Sequence, residues 1–252
     1  MNNKPQLFCF TYAGGTKDFF NVIKPDLDGV DVISLEYAGH GKRHREACYQ
    51  DMDELAEDML DNIESNRTAT PYALFGYSMG SISAVEVLKR IVDSGAQLPC
   101  HVFLSAHEPH TKSELLGFEA GELDEWVKNR TIDFGMIPEK LLNNKVFWRT
   151  YLPIYRADYT IIGKYQFDRL SLKTTIPVTI FYSETDTPRK EMELWKNYFI
   201  DEIDQLKKGN KCYERVQGRY HRSDRYGRTA FYHAAEGSSL VQGDLPGGFR
   251  PQ

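Results

Sequence analysis

The chain has 252 residues, 41% hydrophobic and 27% charged, with a formal net charge of -5. That length buries a core without disulfide or metal staples, and the acidic balance argues against nucleic acid as the main partner. Cys9, Cys48, Cys100 and Cys212 are scattered, with no CxxC pair and no His/Cys cluster at zinc spacing, which points to reduced thiols in a cytoplasmic protein without a metal site. No basic-then-apolar leader opens the sequence, and no apolar run approaches the ~18 residues of a membrane span, so neither secretion nor membrane insertion is expected.

In chain order, "QLFCFTY" (Gln6 to Tyr12) is an apolar run ended by Gly14 and Gly15, the pattern of a buried strand and turn. "VDVISLEY" (Val30 to Tyr37) is rich in β-branched residues and reads as a second strand. In "DMDELAEDMLDNIES" (Asp51 to Ser65), Met52, Leu55, Met59 and Ile63 fall near helical spacing with acids on the other faces. "YALFGY" (Tyr72 to Tyr77) is another buried strand, and Ile82, Val85, Leu88 and Val92 line one face of the helix after it. "HVFLSA" (His101 to Ala106) and "PVTIFYS" (Pro177 to Ser183) are two more strands, and "EMELWKNYF" (Glu191 to Phe199) a helix. Strands alternating with helices predict an α/β fold whose mostly parallel sheet carries helices on both faces. Between about 108 and 173 no strand is legible, only helical pieces. An insertion of that size in an α/β sheet predicts a helical cap over the carboxyl edge, where ligands bind. One α/β domain is therefore expected over residues 1–235, with its cap at about 108–173. The Gly-, Ser- and Pro-rich stretch 236–252 is expected to be disordered.

"LFGYSMGS" sets Gly76, Tyr77, Ser78, Met79 and Gly80 between the apolar strand and the amphipathic helix. The bare pattern G-x-S-x-G is common by chance. Between a strand and a helix it describes a sharp elbow that projects a serine hydroxyl from the sheet edge over a helix N-terminus. Ser78 is thus the candidate nucleophile. The loop "FTYAGG" (Phe10 to Gly15) follows the first strand with two glycines. Alone it suits a plain strand-to-helix turn equally well, but beside an elbow its backbone could bind an oxyanion, with Ala13 and Met79 as the amide donors.

These segments resemble the type II thioesterases that accompany nonribosomal peptide and polyketide synthases. "FCFTYAGG" is similar to that family's F-P-[FY]-A-G-G, with Thr11 in place of proline. "YAGHGKR" (Tyr37 to Arg43) is similar to P-G-[HR]-G-x-R, with Ala38 for proline. "FGYSMG" matches the elbow, and "YLPIYRADYTIIGKY" (Tyr151 to Tyr165) resembles the cap's L-R-A-D-x-x-x-x-x-x-Y segment. Together with the strand, acid loop and helix of "IPVTIFYSETDTPRKEMELWKNY", the motifs run in the family's order over about residues 6 to 205.

The resemblance implies an α/β-hydrolase that removes acyl groups from the phosphopantetheine arm of acyl or peptidyl carrier proteins, with no cofactor of its own and as a monomer. It implies a Ser…Asp…His triad in which Asp186 of "SETDTP" is the acid, Glu184 being a nearby alternative. His221 would then be the base, with His233 a second choice. "QGRYH" (Gln217 to His221) departs from the family's G-x-H-F-F by one residue and lacks both phenylalanines. The sequence holds 16 Lys and 9 Arg through Lys211, then 6 Arg and no Lys, a break that a shifted reading frame or altered terminus would produce. A general carboxylesterase, or a catalytically impaired relative that binds carriers, are the competing readings. In the cap, Phe118, Trp126, Phe147, Trp148, Tyr151 and Tyr155 individually suit helix packing and together predict a mostly apolar acyl channel. Arg156 and Asp158 are expected to pair or to position the cap.

Overall fold

The apolar runs punctuated by glycine form the sheet. The computed structural model describes residues 4–109, 118, 120–135, 137–170, 172, 174–183, 187–199 and 205–208. Six strands, β1 (Gln6–Phe10), β2 (Asp31–Ser34), β3 (Tyr72–Tyr77), β4 (His101–Ser105), β5 (Val178–Tyr182) and β6 (Gln205–Lys208), lie in the order β2-β1-β3-β4-β5-β6. Every adjacent pair is parallel. Parallel strands need crossovers, and here they are α1 (Met52–Asn66), α2 (Met79–Ser94), α3 (Ala120–Asp133), α4 (Lys145–Lys164) and α5 (Arg189–Met192), with short 3-10 turns between them.

Period-two alternation assigns the side chains of β1 to two cores. Phe8 and Phe10 join Leu74, Leu104 and Ile180 beneath α1 and α2. Leu7 and Cys9 join Ala73, Tyr77 and Phe103 on the other face, covered by Phe20, Leu27 and Val30. A third, smaller core of Val127, Ile137, Trp148 and Tyr155 lies among the helices between β4 and β5. Of the six aromatics read in that region, Trp148 and Tyr155 are buried there and Trp126 and Phe147 pack against it, whereas Phe118 and Tyr151 are exposed.

Several elements differ from the sequence reading, among them β1, which ends at Phe10, and β6, which no apolar run announced. The second strand stops at Ser34, although the Leu35 amide still reaches the Cys9 carbonyl at 2.9 Å. The chain turns inward there because Tyr37 is fully buried, its hydroxyl 3.1 Å from both the Thr11 carbonyl and the Ser83 hydroxyl. The helix expected from Glu191 is α-helical only through Met192 and continues as a 3-10 helix, Glu193–Tyr198. The tighter winding brings Trp195 and Tyr198, three residues apart, onto one face, where both rings pack on Phe167.

Helix α1 begins as its sequence suggests, with the Asp51 side chain accepting the Glu54 amide at 2.9 Å. Asp51→Ala should therefore cost about 1 kcal/mol of stability in a denaturant titration, with activity retained. Among the described residues Cys9, Cys48 and Cys100 are free thiols, no helix is long and apolar enough to cross a membrane, and no cluster of His, Cys, Asp or Glu could hold a metal ion.

Candidate active site

The strand order reverses at one place. From β1 the chain moves outward to β2, then returns past β1 to β3, so the loops after β1 and β3 diverge and leave a crevice at the carboxyl edge. In open α/β sheets that switch point is where ligands bind. The two segments that meet there are the A-G-G loop and the elbow.

Ser78 has φ 54° and ψ -122°, a conformation that costs a non-glycine residue strain and is found chiefly at functional sites. Its amide donates to the Ser105 carbonyl at 2.8 Å and its carbonyl accepts the Ser81 amide at 2.7 Å. Ser81, buried, braces the turn: its hydroxyl lies 3.1 Å from the Gly76 carbonyl and 2.9 Å from that of Ser105, and accepts the Ser105 amide at 3.1 Å. Sterics explain the glycines of the elbow. A Cβ at Gly76 would meet the Gly80 carbonyl and Ser81, and one at Gly80 would meet the backbone carbonyls of Phe10 and Thr11. That close contact also sets the end of β1 directly against the elbow.

Met79 is the first residue of α2, so its N–H has no acceptor one turn back inside the helix. In the loop after β1, the Gly15 amide donates to the Tyr12 carbonyl at 2.9 Å and the Gly14 amide to Asp158 Oδ2 at 2.6 Å. The amide of Ala13 donates to no acceptor among the described residues. Tyr12, Phe19 and Tyr77 pack together beside this loop, with centroids 5.0–6.1 Å apart.

A strained serine at the switch point, braced by its own turn and faced by a glycine loop, is the arrangement of an acyl-transfer hydrolase. The thioesterase domain family matches residues 5–205. The chain belongs to that family. It is a thioesterase on the α/β-hydrolase fold, as its sequence implied. Similar proteins include the medium-chain S-acyl fatty acid synthase thioesterase of Rattus norvegicus, 27% identical over 203 residues that span 79% of this chain and 77% of that one. Thioesterase PikA5 of Streptomyces venezuelae is 25% identical over 201 residues, 78% of this chain and 70% of its own. Among solved structures, the RedJ thioesterase from the prodiginine biosynthetic pathway in Streptomyces coelicolor superposes with a TM-score of 0.72 at 27% identity, covering 92% of this thioesterase and 85% of RedJ.

The remaining site residues of this thioesterase divide sharply. Asp186, Glu184, His221 and His233 lie outside the described residues. β5 ends immediately before the acid segment, and the Ser183 amide donates to the Thr187 carbonyl across it at 3.1 Å. The described histidines are held by other partners. His101 pairs with Ala73 at the start of its strand, the far end of the sheet from Ser78, and the His107 ring rests near Phe167. His44 bonds the Gly41 carbonyl. His40 is buried with both ring nitrogens engaged, Nδ1 2.9 Å from the Ala38 carbonyl and Nε2 2.9 Å from Asp158 Oδ2.

The pairing of Arg156 with Asp158 does not occur. Arg156 turns to Asp124 of α3, 2.8 and 3.1 Å from its two oxygens, while Asp158, 1% exposed, faces the sheet edge. Single-sequence reading missed this role of Asp158 and His40, and also missed Ser81. The "RADY" and "AGHG" segments marked the residues but could not say that they meet.

Proposed function

We propose that this thioesterase hydrolyses acyl thioesters carried on the phosphopantetheine arm of acyl or peptidyl carrier proteins in a biosynthetic assembly line, as a cytoplasmic monomer. The observation that carries this reading is the strained Ser78 at the switch point, in an elbow whose Gly80 packs against the backbone at the end of β1. The names of similar proteins, PikA5 and the prodiginine-pathway RedJ among them, support the substrate class.

Ser78 Oγ attacks the thioester carbonyl while His221 takes its proton, and Asp186 orients and stabilises the imidazolium. The negative charge that develops on the carbonyl oxygen is received by the amides of Ala13 and Met79, each such donor being worth ~3 kcal/mol of transition-state stabilisation. The protonated imidazole returns its proton to the departing pantetheine sulfur. Water, deprotonated by the same ring, then cleaves the acyl-serine and frees the acid. No cofactor enters this scheme, since the phosphopantetheine arrives with the substrate.

One observation favours a second reading. The family match ends at residue 205, short of His221, as a catalytically impaired carrier-binding relative would show. A fluorophosphonate probe decides between them, because only a serine activated by a base reacts quickly. Stoichiometric labelling of Ser78, with faster release of thiol from acyl-carrier thioesters than of alcohol from matched oxygen esters, is expected. An unlabelled protein that still binds acylated carrier would establish the impaired reading, and a preference for oxygen esters a carboxylesterase.

A further inference from the structure

Among the described residues of the cap, the buried Asp158 is the carboxylate bonded to the loop after β1, and the acyl-transfer scheme above leaves it without a task. We propose that Asp158 is a positioning residue for the oxyanion: with His40 as its counter-ion it holds the Gly14 amide, so that the loop presents Ala13 N–H to the reacting carbonyl only while α4 is seated. This rests on the serine-hydrolase reading of Ser78.

Three segments far apart in sequence converge on one carboxylate oxygen. Asp158 Oδ2 accepts the Gly14 amide at 2.6 Å from the loop after β1, and faces His40 Nε2 at 2.9 Å from the loop after β2. With Gly14 held by the cap and Gly15 by Tyr12, the backbone on one side of Ala13 is fixed at two successive amides. Left loose, either glycine amide could swing toward the substrate, and the loop would sample several orientations of which only some place a donor correctly. Oxyanion stabilisation depends on donors already in position before charge develops.

The helix grips the loop from two sides. Tyr155, three residues before Asp158 and therefore on the same face of α4, covers Gly14 so closely that a Cβ there would collide with its ring. One helical face thus supplies both the roof over Gly14 and the acceptor for its amide. If α4 moves away, both contacts are lost together.

With Asp158 ionised, His40 must be a cation for this arrangement to be satisfied. Its two ring nitrogens each face an acceptor, the Ala38 carbonyl and Asp158 Oδ2, and a neutral imidazole carries only one N–H. Burial disfavours the charged ring, but Asp158, Ala38 and the nearby Glu36 carboxylate together raise its pKa above the ordinary 6.5. The charged groups facing His40 are Asp158 from α4 and Glu36 from its own loop, the latter also accepting the amides of Lys17 and Lys42. Tyr37 contributes only a ring edge. A buried ion pair is seldom better for stability than apolar packing of equal volume, so placement of the loop is the stronger account of why one sits here.

The sign of the pH effect follows. A raised folded-state pKa means that the contribution of His40 is complete below about 6.5 and is lost as pH rises through the raised value. The catalytic imidazole behaves oppositely, since it must be neutral to act. Alkaline loss of kcat therefore reports the latch and not the base.

The test compares wild type, Asp158→Asn and His40→Gln for kcat and KM on acyl-pantetheine, for the rate of fluorophosphonate labelling, and for thermal melting. Asparagine can offer Gly14 and His40 only one acceptor, so kcat and labelling should both fall roughly 100-fold with KM little changed. His40→Gln keeps a donor toward Asp158 without a titrating ring and should flatten the alkaline decline in kcat and in melting temperature. Asp158→Asn with wild-type kcat and labelling, or with losses that merely follow its melting curve, overturns the inference. So does an unchanged alkaline limb in His40→Gln, which decides the matter if the Asp158 variant does not fold. A wild type that neither turns over nor takes the probe removes the hydrolase reading itself. An active wild type with an indifferent Asp158 removes the latch alone.

Discussion

Ser78→Ala should lower thioester turnover by roughly 10⁴- to 10⁶-fold, as loss of a nucleophile does in enzymes whose triad acts as a unit. The protein should remain folded while this happens. The Ser78 hydroxyl caps no amide of α2, and the backbone bonds that hold the elbow, from the Ser78 amide to Ser105 and from the Ser81 amide to Ser78, do not involve its side chain. Alanine carries the same Cβ into the same positive-φ conformation, so the strain is unchanged. Thiol release from acyl-pantetheine, followed with purified variant beside wild type, measures the effect. Turnover within about tenfold of wild type would mean that the serine is not the attacking group.

Gly80→Ala should be strongly damaging, costing about 3 kcal/mol through overpacking against atoms that cannot rotate aside. The new methyl would meet the carbonyls of Phe10 and Thr11, which are backbone, and relief requires β1 and α2 to separate. For a chain of this size that corresponds to a fall of roughly 6–12 °C in melting temperature. Activity should drop further than stability, because the same movement pulls the A-G-G loop away from Ser78. Gly121→Ala is the natural control: it lies in α3 with nothing within 4 Å of the added carbon. There alanine should stabilise by about 0.5–1 kcal/mol through helix propensity. A Gly80 variant that melts with wild type would show that the close approach of elbow and strand is not enforced.

The sheet and the elbow were legible because each is written in a short window. The runs around Phe8, Leu74 and Val102 are apolar without interruption, as strands buried on both faces must be, and glycine marks where the first two stop. Gly76 and Gly80 announce a close approach whatever the rest of the fold does. The ends of elements were less visible, since Tyr37 leaves its strand to satisfy a hydroxyl against Thr11 and Ser83, partners that no local pattern names. The partnership of Gly14, His40 and Asp158 was invisible for the same reason: it spans three loops, and one sequence holds no record of which distant residues touch. Arg156 misled because it stands beside Asp158 in the chain, whereas two residues apart on a helix do not face each other. The acid and base proposed at Asp186 and His221 rest on the resemblance alone.

The parallel pairing of all six described strands has a consequence for how the enzyme comes into being. Among the described residues no two adjacent strands are joined by a hairpin, so even the β1–β3 pair, in which Gln6 meets Tyr72, must wait for the intervening polypeptide to close. Such long-range pairing slows folding. The elbow's contorted serine has nothing to hold it until β1, β3 and β4 have met, so the ability to cleave an acyl bond is among the last properties the maturing polypeptide acquires.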